Sequence, residues 1–253
     1  VTNSAVRTVL ADLRTRIGSL EGGAACRRGV LPFGVPEIDR RLPGGGLAFG
    51  GLHEVAGGGN GAVDGAAAAL FAAGIAARTG GAVVWCVTRA DLFAPALAQA
   101  GLPPGRVVHL ETGDEGDLLA CFEDGLRHGG PSAVVGEVAR LPMVASRRLM
   151  LAAETGGAIG IVLRRWSRQG QATDFGQPTA SLTRWRVTAA ASAPLPVPGI
   201  GRSRWRLELL RCRAGESFEV EVEACDGQGR LALPAALADR SAPARGRFGG
   251  AAG

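Results

Sequence analysis

The sequence predicts an α/β fold, a mostly parallel sheet flanked by helices with antiparallel strands at the C-terminal end. Three observations predict it. Between residues 52 and 163, short apolar, β-branched runs alternate with helix-period segments, and that alternation builds a parallel sheet covered on both faces. The first of these strands runs into a glycine-rich loop and then an alanine-rich helix. Beyond Leu163 the helical pattern stops and only strand-like segments follow.

The chain divides into an N-terminal helix (1–22), a core (34–190), a C-terminal β-hairpin extension (202–240) and a disordered tail (241–253). Asn3 or Ser4 caps the first helix, and its apolar positions Val6, Val9, Leu10, Leu13, Ile17 and Leu20 recur at three- and four-residue spacing until Gly22-Gly23 ends it. That helix covers its own core or packs on a neighbouring subunit; the spacing leaves both open. Strands are expected at 52–56, 82–87, 106–110, 133–138 and 158–163, and helices at 66–78, 91–100, 115–128 and 143–154. Strands at 179–188, 205–212 and 218–225 complete the fold, the last two forming a hairpin around Ala214-Gly215. The intervening stretch 189–201 holds three prolines and reads as a linker. The tail from Ser241 is small, glycine-rich and basic.

A hydrophobic content of 46% over 253 residues is ample for a packed core. No apolar run of about 18 or more residues appears and the N-terminus alternates charge with apolar residues, so a cytoplasmic protein with no membrane association is expected. The five cysteines, Cys26, Cys86, Cys121, Cys212 and Cys225, are scattered, with no C-x-x-C and only three histidines; they read as buried thiols, and no metal is expected. The net charge of +5 permits an acidic partner or nucleic acid without requiring either. The chain contains no lysine, so all 28 basic residues are arginine. A GC-rich coding bias would produce the same exchange.

That absence matters most after the first strand. In G-x-x-x-x-G-K-[ST], backbone N–H groups cradle phosphates, the lysine reaches the β/γ-phosphates and the hydroxyl binds Mg²⁺. Here the loop Gly57, Gly58, Gly59, Asn60 and Gly61 is followed by Ala62 and Val63, so both chemical groups are missing. Asp64 adds a negative charge near a helix N-terminus, where a phosphate would otherwise gain from the dipole. No nucleotide cofactor is expected.

From about Gly34 to Thr188 the chain resembles the RecA core. The segment Gly34–Leu47 is similar to the lead into its P-loop, Thr88–Pro95 falls where RecA carries its catalytic glutamate, and Ser132–Leu141 where it has the Walker B strand. The resemblance puts Arg89 at the glutamate and Gly136 at the Walker B aspartate. Glu137 comes one residue late, and on a strand that offset turns a side chain to the opposite face. Phoshoryl transfer rests on positioning and charge neutralisation, so a chain lacking all of these groups is expected to be no ATPase.

A RecA-like chain of this kind resembles the ImuA family, also called SulA-like. The phrases Gly50–Val55, Val134–Val138, Leu182–Val187, Trp205–Arg213 and Val222–Asp226 carry the resemblance over most of the chain. It implies a cytoplasmic, non-catalytic adaptor in error-prone translesion DNA synthesis, part of the SOS response to DNA damage. The implied partners are an ImuB-type Y-family polymerase-like protein and an error-prone DnaE-type polymerase subunit, with RecA and single-stranded DNA as further candidates. Two alternatives remain: a divergent P-loop NTPase of DNA repair using Glu137 and an arginine, and a SulA-like inhibitor of cell division.

Two groups of residues are candidate contacts. The segment 164–177 matches in position the second DNA-binding loop of RecA. Arg164, Arg165 and Arg168 would neutralise phosphates there, and Trp166 and Phe175 would stack on bases; a solvated basic loop or a docking site for the polymerase-like partner is the alternative. The first such loop is missing, since Leu141-Pro142 passes directly into a helix. In the C-terminal strands, alternation buries Trp185 and Trp205 and exposes Arg184, Arg186, Arg204 and Arg206, with Arg211 and Arg213 beyond, as a solvated or protein-binding face.

Overall fold

The computed structural model describes residues 28–59, 61–166, 175–192, 199 and 201–234. The expected helix at 1–22, the tail at 241–253, Asn60 and Arg168 lie outside them. A two-stranded ribbon, β1 (Val30–Leu31) with β2 (Leu47–Ala48), brackets the short helix α1 (Pro36–Asp39). The main sheet begins with β3 (Leu52–Gly57) and alternates through α2 (Gly61–Arg78), β4 (Val83–Val87), α3 (Ala94–Gln99), β5 (Val107–Glu111), α4 (Glu115–His128), β6 (Ala133–Val138), α5 (Met143–Gly156) and β7 (Ile159–Arg164). The strands β8 (Thr183–Ala190), β9 (Arg204–Cys212) and β10 (Phe218–Glu223) close the chain.

Strands β3 to β10 form one eight-stranded sheet, in the order β10-β9-β8-β3-β7-β6-β4-β5. Strands β3 to β8 are mutually parallel; β9 and β10 join antiparallel, so residues 204–223 continue the same sheet. The expected alternation and the antiparallel end are both present.

Helix α2 lies on one face beside β3 and β8. Its alanines 67, 68, 72, 73, 76 and 77 and Phe71 are buried, and small side chains let the helix lie close to the sheet. By length and composition α2 is apolar enough to cross a membrane, a feature the sequence reading passed over, yet it is buried here as a core helix. Phe33, Phe71, Trp185 and Trp205 pack on this face with ring centroids 5.5–6.4 Å apart. The opposite face carries α4 and α5. Asp114 caps α4 by accepting the Asp117 N–H at 2.9 Å, Leu118, Phe122 and Leu126 form its buried stripe, and Gly129 ends it in the left-handed conformation.

Three boundaries differ from expectation by three residues or more, and the others by two at most. Helix α2 starts at Gly61, five residues early. Helix α3 starts only at Ala94, because Pro95 fits the first turn of a helix and not its interior. Strand β8 starts at Thr183, because the Thr179 side chain and the Ala180 N–H are drawn to Glu54 and to the Ser146 hydroxyl.

Candidate functional site at the glycine-rich loop

A cleft of about 620 Å³ opens where β3 ends. Its floor is Gly57, Gly58, Gly59, Gly61, Ala62 and Gly65. Leu70, Leu92, Phe93 and Leu97 make one wall, and Arg164, Arg165, Trp166, Phe175 and Arg186 the other. This is where a phosphate-binding loop would hold its ligand, at a strand end opening into a helix N-terminus.

The loop's own groups are engaged internally. Gly58 N–H donates to Val187 O at 2.9 Å, and Gly59 N–H to Asp64 Oδ2 at 2.9 Å. Counted from Gly57, where β3 ends, the motif spacing puts Val63 at the lysine and Asp64 at the hydroxyl, one residue on from the sequence reading. Val63 points outward and is 55% exposed, whereas Asp64 is buried.

The Walker B strand is closed on both faces. Gly136 faces α4, where a Cβ would stand 2.4 Å from the Phe122 ring. Glu137 faces the other way, as the alternation rule requires, and is buried. Its Oε1 accepts the Trp85 indole N–H at 2.8 Å, and its Oε2 accepts from Arg165 at 2.6 Å. Arg165 also donates to both oxygens of Asp91, at 2.8 and 3.0 Å. Burial opposes the Arg165 charge, but Asp91 and Glu137 outweigh it and hold the guanidinium protonated. The Asp91 carboxyl is in turn held below the usual carboxylate range, chiefly by its hydrogen bond from Arg165. Arg89, at the glutamate position, is exposed.

Of the segment expected to reach DNA, residues 167–174 lie outside the described residues; among the others Arg164 and Phe175 are buried, Arg165 and Trp166 half-buried, and Gly176 and Gln177 exposed. Arg164 extends β7 and is fully buried, donating to Glu54 Oε1 at 2.7 Å and to Ala139 O at 2.7 Å. Arg184 is also buried, donating to Glu54 Oε2 at 2.9 Å, to Gln177 O and to the Thr179 hydroxyl. A buried carboxylate between two guanidiniums thus ties β3, β7 and β8 together. The expectation that Arg164 and Arg184 face DNA or a partner is corrected: both turn inward to the Glu54 carboxylate, because a carboxylate buried in the middle of the sheet needs hydrogen-bonded, oppositely charged partners. Phe175 is corrected too. It is buried, edge-on to Trp166 at 5.4 Å, with the guanidiniums of Arg164, Arg184 and Arg186 within 6.0 Å of its ring. Trp166 is half-buried and donates its indole N–H to Ala139 O at 3.0 Å.

Arg186, Arg204 and Arg206 lie where alternation puts them, on the face opposite Trp205, Leu207 and Leu209, whereas Arg211 pairs in register with Arg184 only because an extra residue, Leu210, breaks the alternation of β9. Arg186 stands 3.6 Å from Glu208, Arg204 3.5 Å from Glu221 and Arg206 3.7 Å from Glu219, a ladder of opposite charges across β8, β9 and β10. Arg211 and Arg213 are exposed farther along, and Arg211 donates to Thr179 O at 2.6 Å.

Sequence reasoning missed Glu54, Thr179, Trp85 and Phe122. Only Glu54 carried a signal, since a carboxylate inside a strand buried on both faces demands a partner. Next to it, His53 is buried between the Thr183 hydroxyl and Ala48 O, and burial lowers its pKa to about 4. Of the cysteines expected to be buried, only Cys86 is so among the described residues, while Cys121, Cys212 and Cys225 are half-buried; the Cys86 and Cys225 thiols are each pushed up to about 12 mainly by desolvation. Among the described residues no group of three or more metal-ligating side chains gathers.

A glycine loop at the end of a parallel strand, in a sheet of this order with an antiparallel extension, defines a protein of the RecA-like fold. The crystal structure of the RadB recombinase superposes with a TM-score of 0.55 and 18% identity, covering 81% of this chain and 99% of that one. In sequence, the chain is 42% identical over 206 residues to Protein ImuA of Caulobacter vibrioides, in strains NA1000 / CB15N and ATCC 19089 / CB 15, covering 78% of this chain and 84% of each relative. The chain belongs to the ImuA family. No family model matches it.

Proposed function

We propose that this protein of DNA-damage-induced mutagenesis is a non-catalytic, cytoplasmic adaptor that joins an ImuB-type polymerase-like protein and an error-prone DnaE-type subunit in a translesion complex. Family membership supports the setting. The closed Walker B strand carries the non-catalytic reading: Phe122 fills the space of an aspartate at Gly136, and both oxygens of Glu137 are bound. Val63 supplies no cation, and Asp64 sets a carboxylate where a metal-binding hydroxyl would stand. The β8–β10 face, with Arg206, Arg211 and Arg213 exposed, is the proposed partner surface. Its surface ion pairs are weak and exchange readily for a partner's charges. RecA and single-stranded DNA are secondary candidates for the same face.

Damage-induced mutation frequency in a strain lacking the chain tests the role. It is expected to collapse and to recover on complementation, and unchanged mutation would refute it. The purified protein is expected to hydrolyse no ATP; hydrolysis abolished by Glu137→Gln would make it an enzyme.

A further inference from the structure

Asp64 belongs to the first turn of an 18-residue helix, where a polar side chain normally reaches solvent, yet it is 2% exposed. Its Oδ2 accepts the Gly59 N–H at 2.9 Å and its Oδ1 accepts the Ala189 N–H at 2.9 Å. The neighbouring Gly58 N–H is taken by Val187 O, so the loop is fastened at two points to the end of β8. The fit is close. A Cβ on Gly58 would stand 2.0 Å from the Thr188 hydroxyl and 3.1 Å from Asp64 Oδ2, and one on Gly57 would stand 2.8 Å from the Asp64 carbonyl carbon.

Loops of this shape fold around an oxyanion because their N–H groups converge beside a helix N-terminus, and without an anion those donors and the dipole are uncompensated. We propose that Asp64 is a built-in anion: its carboxylate takes the part of a nucleotide phosphate at the Gly59 N–H, and through the Ala189 N–H locks the loop and the start of α2 to β8 with no ligand bound. This rests on the reading that the cleft turns over no nucleotide, and deepens it. The protein then holds one loop conformation permanently, where a nucleotide-dependent relative would switch.

Removing the carboxylate leaves two N–H donors facing a vacancy that a free oxyanion refills. The thermal midpoint of Asp64→Ala is expected to fall by about 4–10 °C in chloride, as the loss of charged hydrogen bonds predicts for a chain of this size. It should recover at least half of that in about 10 mM inorganic phosphate at matched ionic strength, a concentration chosen to exceed weak binding. Wild type should not respond to phosphate. Asp64→Asn, which fills the space without the charge, should be destabilised and respond little. An Asp64→Ala variant as stable as wild type, or equally indifferent to phosphate, would overturn the proposal.

Should Asp64→Ala not fold, hydrogen exchange on the wild type decides. The Gly59 and Ala189 amides should exchange at least about 100-fold slower than free peptide, as bonded amides do; exchange at the free rate would overturn it. These readouts measure stability, whereas failure of the functional reading would show as ATP hydrolysis by the wild type.

Discussion

At the scale of single residues, the site is shaped by what each missing group allowed its neighbours to do. Without an aspartate at 136, Phe122 moved into the space, so the loss is now part of the core. Gly136→Asp is expected to cost about 1–3 kcal/mol by overpacking, read as a lower urea midpoint, with no metal binding gained. Glu54 is subject to the opposite constraint. Glu54→Gln leaves Arg164 and Arg184 as buried cations without their carboxylate, and should cost about 3–5 kcal/mol in the same measurement. His53 gives a pH dependence. Because its pKa is about 4 in the folded protein and near 6.5 when unfolded, the unfolded chain binds the extra proton between those values. Stability therefore falls as pH drops from about 6.5 to 4, by up to about 3 kcal/mol from this residue, and no further below. His53→Gln should flatten that slope in unfolding midpoints taken from pH 7 to 4.5.

Among the elements, legibility followed periodicity. Strand β6 and helix α4 stand at the residues expected, 133–138 and 115–128, because each carries a clean apolar pattern and α4 also has a capping aspartate and a terminal glycine. The start of α3 shifted for a local reason, Pro95, whereas the start of β8 shifted because distant groups compete for Thr179 and Ala180. The β8–β10 face is an element with little stability at stake, since its arginines and glutamates form exposed, long pairs. Arg206→Glu should change the unfolding free energy by less than about 0.5 kcal/mol. If the face docks the polymerase-like partner, the same variant should lose that partner in co-purification.

Taken as a whole molecule, the protein keeps the RecA-like scaffold while the charged groups of its cleft bind one another: Arg165 with Asp91 and Glu137, Arg164 and Arg184 with Glu54, Asp64 with the loop. Restoring motif residues should therefore not restore chemistry. The double variant Val63→Lys with Asp64→Thr is expected to show no ATP hydrolysis in a single-turnover assay, since Glu137 stays bound to Trp85 and Arg165. The sequence by itself determined the strand and helix order, the loop and its missing lysine, because hydrophobic period and motif spacing are local properties of the chain. Only the tertiary structure decided which arginines are surface and which are core. Alternation puts Arg184 and Arg186 on the same face, and what separates them is Glu54, 130 residues away from Arg184 in sequence, whose buried charge draws in Arg164 and Arg184 and leaves Arg186 at the rim.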